Sequence, residues 1–335
     1  MAVDIGIDLG TSTTLICNNS GEVLLNEPSL VIRSDTSGQA VAIGSAASDM
    51  IGRTPEGVSA IKPVQGGAIT AYSATAAMLK YFVKKASGGT FSRVRAVMSM
   101  PCGISEVERR AAYEAAQAAG IRDVVLIETP LAAAAGCGVD IGAPMGYMLV
   151  NIGAGICEAA VVSLGGIVVS HSVRTAGASF DSAIVQYVKK QYGTIIGDST
   201  AESIKISIGS VYAGIESETL EVNGRDMMTG LPKTATISAS EIRPSLTETA
   251  DARVDAVKIT LEKTPPELAA DILKNGIVLT GGGAMLRGLG RLINISTEIP
   301  VYIADNPIEC VASGAGRAVE FMINRRGKGI FGREM

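Results

Sequence analysis

Apolar and polar positions alternate almost from the first residue. "VDIGIDLGTSTTLIC" (residues 3–17) reads as a strand, a turn from Asp8 to Thr13, and a second strand through Leu15 and Cys17. The plan returns in "MLVNIGAGICEAAVV" (residues 148–162), where an apolar strand reaches Asn151, turns at Gly153-Ala154-Gly155 and continues as a strand. Two such hairpins about 145 residues apart predict duplicated domains facing each other. Helical spacing is equally legible. Ser105 with Glu108 predicts a capping box, Val107, Ala111, Ala115 and Ala118 recur on one face, and Gly120 suits the C-terminal cap. A second helix is predicted from Ser199, capped by Glu202, with Ile204, Ile206 and Ile208 before Gly209. A third runs from about Ser240 to Lys263, with Pro244 early and Pro265-Pro266 at its end. Asn223-Gly224 in "LEVNGRDM" predicts a tight hairpin turn. Strands and helices therefore alternate, which predicts an α/β protein with mixed sheets.

The residues after each glycine turn limit its chemistry. Glu158 stands where a dinucleotide fingerprint needs its third glycine, and the residues beyond keep a strand pattern, so a Rossmann site is excluded. No Gly-Lys-Ser/Thr comes after any glycine cluster, so a Walker loop is excluded too. A third cluster, Gly281-Gly282-Gly283 in "IVLTGGGAML", ends a strand and leaves amides free for an anion or a nucleobase. Taken singly, each turn is more often structural than ligand-binding.

Composition narrows the classes further. Of 335 residues 47% are apolar and 19% charged, against about 25% charged in an average domain. Either part of the surface is covered by other subunits or an alanine-rich chain simply has a small polar surface. A net charge of −4 supplies no basic field for nucleic acid. His171 is the only histidine and the five cysteines are scattered, which excludes a zinc site or a histidine triad and predicts reduced thiols in a cytosol. No signal peptide is evident, and no apolar run approaches the ~20 residues of a membrane span.

The order of the motifs carries more than any one of them. A "DLGTST" hairpin, a second hairpin, a Glu-x-x-Lys helix at Glu202 and Lys205, and then "TGGGA" resemble the actin-like ATPases. Within these the chain resembles the MreB and Mbl bacterial actins almost end to end, through "LNEPS", "GRTP", "VERRA", "IGDSTAESIK", "TPPELAADI" and "NPIECVASG". The resemblance implies duplicated ribonuclease-H-type domains, with four subdomains around a cleft that holds ATP and Mg²⁺. Residues 1–142 and 312–335 would form domain I, with a small subdomain at about 33–65; residues 143–311 would form domain II, with one at about 182–243. Gly10, Thr11, Ser12 and Thr13 would wrap the phosphates, Asp8 would hold hydrated Mg²⁺, and Gly153, Ala154 and Gly155 would present amides opposite. Glu202, Ser203 and Lys205 would reach the ribose and adenine, with Gly281, Gly282, Gly283 and Ala284 behind the adenosine. The family also implies self-assembly into cytoskeletal filaments that support cell shape, together with paralogues of the family, wall-synthesis proteins and the inner face of the cytoplasmic membrane as partners.

Several positions depart from the family pattern around the expected cleft. "IETP" puts Thr129 where the family has the glutamate that positions the attacking water, and Thr129 before Pro130 also reads as an N-cap. Glu128, one residue away, points elsewhere and is a poor substitute. Asn151 replaces an aspartate, Ile156 and Cys157 replace hydroxyls, and Gly66, Ala71 and Ala178 stand where aspartates are expected. Losing a positioned base costs about 10²–10⁴ in rate, so ATP binding with slow or absent hydrolysis is expected. The alternatives are a nonpolymerising paralogue that co-assembles with an active relative, or a small-molecule kinase of the same fold, which would need insertions and an acid not evident here. A chaperone-type ATPase would need a peptide-binding domain after "TGGGA", where only about 50 residues remain. For membrane attachment, Met1 to Asp4 leaves no room for a preceding amphipathic helix, whereas Phe91 within "KKASGGTFSRVR" offers an apolar loop tip with basic flanks. Ile330 and Phe331 in the basic tail are a second choice.

Overall fold

The structure, a computed structural model, describes residues 3–89, 93–213 and 218–324. Two five-stranded sheets are built on one plan. In the first, Val3–Leu9, Thr13–Asn18 and Val23–Pro28 form an antiparallel meander, and Val94–Met100 and Asp123–Glu128 add in parallel beyond Val3–Leu9. In the second, Tyr147–Ile152, Cys157–Ser163 and Gly166–Val173 repeat the meander, and Ile277–Thr280 and Val301–Ile303 repeat the parallel additions. The duplication read from two hairpins therefore extends strand for strand. Asp8 and Asn151 occupy the same place, the last residue but one of each leading strand.

Each sheet buries its alternating apolar positions against helices. Ile5, Ile7 and Ile16 pack on Met78, Leu79 and Phe82 of helix Tyr72–Ala86 and on the alanines of helix Glu106–Ala118. Val150, Ile152 and Val161 pack on Phe180 and Ile184 of helix Gly177–Tyr192 and on Val254 and Val257 of helix Ala239–Glu262. A third apolar cluster joins the halves, with Val97, Ile127 and Leu131 meeting Leu149, Val162 and Val311. Its buried aliphatic side chains contribute roughly 1.5–3 kcal/mol each. Helix Cys310–Asn324 enters this seam by backbone contact. A Cβ on Gly314 would lie 1.8 Å from the Ala132 carbonyl, one on Gly136 would lie 1.8 Å from that of Cys310, and one on Gly6 would lie 2.0 Å from the Gly316 nitrogen.

Two smaller three-stranded sheets are inserted, Val31–Ser34, Ala40–Ile43 and Val58–Ile61 in the first half and Thr194–Ile195, Thr219–Asp226 and Pro232–Ser238 in the second. The second corrects the expected turn. Asn223 and Gly224 lie inside a strand, opposite Thr234 and Lys233, and the chain reverses at Met227 to Gly230. Gly224 is needed there for closeness, since a Cβ would lie 2.6 Å from the Ile195 carbonyl of the neighbouring strand. Asp226 makes the turn, accepting the Met228 and Thr229 amides at 2.9 Å each.

The capping box of Ser105 and Glu108 forms as expected, and Ser238 with Glu241 forms another at the start of Ala239–Glu262. Two other starts shift by one residue. Helix Asp198–Ile208 begins after Gly197 without a side-chain cap, which places Ser199 inside its first turn and leaves Glu202 exposed. Helix Thr129–Gly136 has Glu128 at its N-cap and Thr129 as its first helical residue, so the Thr129 hydroxyl is not used in capping.

Candidate functional site

The first glycine turn hangs between strands Val3–Leu9 and Thr13–Asn18. It needs glycine at position 10, where a Cβ would lie 2.4 Å from the Thr13 carbonyl. The Ser29 amide donates to the Ser12 carbonyl at 2.8 Å, and the Thr14 and Ser29 hydroxyls meet at 2.8 Å, so the turn is braced from behind. Asp8 stands at its base and accepts the Ser99 hydroxyl at 2.7 Å. Burial pushes the Asp8 carboxyl up to about 6, against the lowering effect of Ser99, and it has no ion-pair partner among the described residues.

The second turn faces the first. A Cβ on Gly155 would lie 2.3 Å from Thr11 Oγ1 and 2.9 Å from the Gly66 amide, so three turns converge at this point. The Gly153 and Ala154 carbonyls accept the Gly177 and Ala178 amides at 2.9 and 2.8 Å, which ties the turn to the start of helix Gly177–Tyr192. Behind that start lies fully buried Arg253, which donates to the Ala176 carbonyl at 2.6 Å and also to Ser179 Oγ. Sequence reasoning missed Arg253, although an arginine on the face shared by Ala250, Val254 and Val257 was a usable signal.

The third turn completes the floor of the cleft. Gly281 takes a φ of 80° and approaches Asn151, while Thr280 donates its hydroxyl to Asn151 Oδ1 at 3.0 Å. Asn151 thus spends its carbonyl oxygen on the neighbouring strand. Gly282 is exposed beside Ile308, and Gly283 packs on Ile152; Ala284 is fully buried and can offer a ligand only its backbone.

The expected adenosine side is less complete. Glu202 and Ser203 are exposed on their helix, with the Ser203 hydroxyl turned to the Ser199 carbonyl at 2.9 Å. Lys205 lies 2.8 Å from Asp181 and 3.4 Å from the Gly177 carbonyl, so its charge is already matched below the second turn. Phe91, Ile330 and Phe331 lie outside the described residues. Among those described, no helix is long and apolar enough to cross a membrane.

One carboxyl group that the sequence motifs did not single out lies on the same floor. Glu158, opposite Asn151 across the second hairpin, is fully buried. Its Oε1 accepts the Cys102 amide at 2.7 Å, and Oε2 has no hydrogen-bond partner among the described residues. Burial, with a smaller contribution from the Asp8 charge, pushes Glu158 up to about 7. Its signal in the sequence was a lone acid in the strand Cys157–Ser163, which is buried at every position.

Two like sheets whose glycine turns converge on one cleft define the actin-like class. The MamK double helical filament shares this fold with a TM-score of 0.81 at 20% identity, covering 96% of this chain and 99% of that one. MreB5 of Spiroplasma citri bound to ADP superimposes with a TM-score of 0.89 at 35% identity, covering 96% and 97% of the two chains. The family model described as MreB/Mbl protein matches residues 2–326. The cell shape-determining protein MreB of Escherichia coli (strain K12) is 46% identical over 99% of this chain and 97% of its own length. Mbl of Bacillus subtilis (strain 168) is 44% identical over 96% and 97%. The chain belongs to the MreB/Mbl family.

Proposed function

We propose that this protein binds ATP with Mg²⁺ between its glycine turns, assembles with copies of itself into filaments that support cell shape, and hydrolyses ATP slowly. The observation that carries the reading is the convergence of Gly10–Thr13 and Gly153–Gly155 beside an uncompensated Asp8. It is supported by 35% and 34% identity to MreB5 structures bound to ADP and to AMPPNP, and by relatives named for cell shape.

The residues present fit the nucleotide and the metal. Glycine turns let backbone amides approach phosphate closely, and a half-buried carboxylate without a cation suits a metal held mainly by phosphate and water. Mg²⁺ would neutralise phosphate charge; Asp8 would hold its waters and Ser99 would hold Asp8. The cleft lies between the proposed domains, residues 1–142 with 312–335 and residues 143–311. At the reacting end Thr129 offers a hydroxyl that takes no proton from water at neutral pH, and Asn151 adds no negative charge. Gly10 to Thr13 and Gly153 to Gly155 would still bind and orient the phosphates, so binding outlasts fast turnover. Filaments would present many copies of Phe91 to anionic lipid. One inserted phenylalanine contributes roughly 1.5–3 kcal/mol, and avidity multiplies it.

Calorimetry with Mg-ATP, phosphate release and electron microscopy with and without nucleotide test the reading together. Binding, filaments, and release at least about tenfold slower than that of Escherichia coli MreB are expected. Turnover at the rate of that relative overturns the slow-hydrolysis reading. A particle that never assembles alone but alters filaments of an active relative supports the regulatory paralogue instead. Co-sedimentation of filaments, and not monomers, with anionic vesicles, reduced by Phe91→Ala, is the expected membrane result.

A further inference from the structure

The arginine behind the second turn carries a charge that no described residue answers. Arg253 is 1% exposed. Its guanidinium donates to the Ala176 carbonyl at 2.6 Å, to Ser179 Oγ and to the Thr249 carbonyl, and lies 4.6 Å from the centre of the Phe180 ring. Every one of these partners is neutral, and Nε has no hydrogen-bond partner among the described residues. The acids around it are taken or turned away. Asp181, one turn into helix Gly177–Tyr192, pairs with Lys205 at 2.8 Å. Asp251 and Asp255 are exposed on the arginine's own helix. Glu158 reaches the Cys102 amide, whereas its neighbour Cys157 packs in the core that holds Phe180, so the carboxyl lies on the other face of the sheet. Burial works against the arginine's charge, yet a guanidinium does not deprotonate in a protein. A buried charge without a counter-charge is costly.

This charge is close to the second glycine turn. The Ala176 carbonyl accepts from Arg253, and the next two residues, Gly177 and Ala178, donate their amides to the Gly153 and Ala154 carbonyls at 2.9 and 2.8 Å. A Cβ on Gly177 would lie 3.2 Å from the Ala154 Cα, so the helix start rests directly on the turn. The helix brings the positive end of its dipole to this point, and Arg253 adds a full charge behind it. We propose that Arg253 is a positioning residue for the phosphates of the nucleotide, a buried cation whose counter-charge is the phosphate chain seated against Gly153–Gly155. It acts through Ala176 and the helix start without touching the ligand, and its field is weakly screened because it is shielded from water. Asn151, beside the same turn, has no negative charge to cancel it. The chain thereby favours nucleotides by the number of phosphates they carry. The inference rests on the proposed ATP site.

Calorimetry with Mg-ATP and Mg-ADP, alongside thermal melts, tests it on the full chain with Arg253→Met, Arg253→Gln and Arg253→Lys. Methionine keeps an unbranched side chain and glutamine keeps a donor, but both remove the charge. Each should weaken Mg-ATP about tenfold or more and Mg-ADP by a smaller factor, while Arg253→Lys stays within about threefold of the parent for both. Mg-ATP affinity in Arg253→Met equal to that of the parent overturns the role. So does an equal loss for the two nucleotides, which marks a brace that acts by shape alone, or a loss in Arg253→Lys as large as in Arg253→Met. Should the neutral variants fold poorly, the parent with magnesium tripolyphosphate decides. Phosphate without a nucleoside should raise its melting temperature, by less as salt is added, and no rise in a parent that binds Mg-ATP overturns the role while the site stands. Absence of Mg-ATP binding by the parent overturns the proposed site along with it.

Discussion

Glycine serves two purposes at the cleft, and they separate under mutation. A side chain at Gly10 would strike the Thr13 carbonyl within its own turn, whereas one at Gly282 would meet nothing nearer than Ile308 at 3.9 Å. Gly282→Val should therefore fold like the parent yet lose at least about tenfold in ATP affinity by filling ligand space, while Gly10→Val loses stability as well. Calorimetry with thermal melts distinguishes the two, and equal ATP affinity in Gly282→Val would remove the third turn from the site. Glu158 gives a pH prediction. Its ordinary value is 4.5 and its folded value about 7, so between these the folded chain holds a proton that the unfolded chain has lost. Stability without nucleotide should fall as pH rises through that window and level off above it, by something on the order of 3 kcal/mol. Urea melts at pH 5 and pH 8 should show the loss, and Glu158→Gln should reduce it to the part that Asp8, raised to about 6, contributes in the same direction. The pair Thr129→Glu with Asn151→Asp should restore part of the hydrolysis. Phosphate release by the double variant checks it.

At the scale of elements, signals confined to one turn of chain were legible and those set by a neighbour were not. The box at Ser105 was legible because its hydroxyl serves an amide three residues on; the one at Ser238 is as local but was not read, and Ser238→Ala should cost about 1 kcal/mol in a denaturant melt. Asn223-Gly224 was misread because its glycine answers to the Ile195 strand alongside and not to a turn of its own. Two residues inserted after Met228 should accordingly be tolerated, while the same insertion after Asn223 should abolish the soluble fold. Both sheets were legible from the two hairpins, because alternation and glycine turns are written into contiguous residues. Glu158 was legible only as a failed dinucleotide motif. That its carboxyl meets the Cys102 amide depends on two halves of the chain meeting, which no local pattern records. The pairing of Lys205 with Asp181 on another helix was illegible for the same reason.

Across the whole molecule the packing is held by contacts of unequal strength. Lys62 with Asp198 at 3.9 Å and Arg174 with Glu108 at 2.9 Å span the two halves at the surface. Exposed pairs of this kind contribute about 0–1 kcal/mol, so Lys62→Ala should leave stability within about 0.5 kcal/mol. The apolar seam is stronger, and Leu131→Ala should cost about 2–5 kcal/mol by urea unfolding. A third feature is the bare backbone contact of Gly6, Gly136, Gly314 and Gly316 along helix Cys310–Asn324, which seats that helix on the first sheet and its helices and where a single methyl group would overlap main chain. These four glycines set where the sequence is free to vary. In a saturation library selected only for soluble protein they should accept no other residue, while Thr129 and Asn151 accept many. A lineage of such chains could thus lose its chemistry one letter at a time and still pass on an intact bearing.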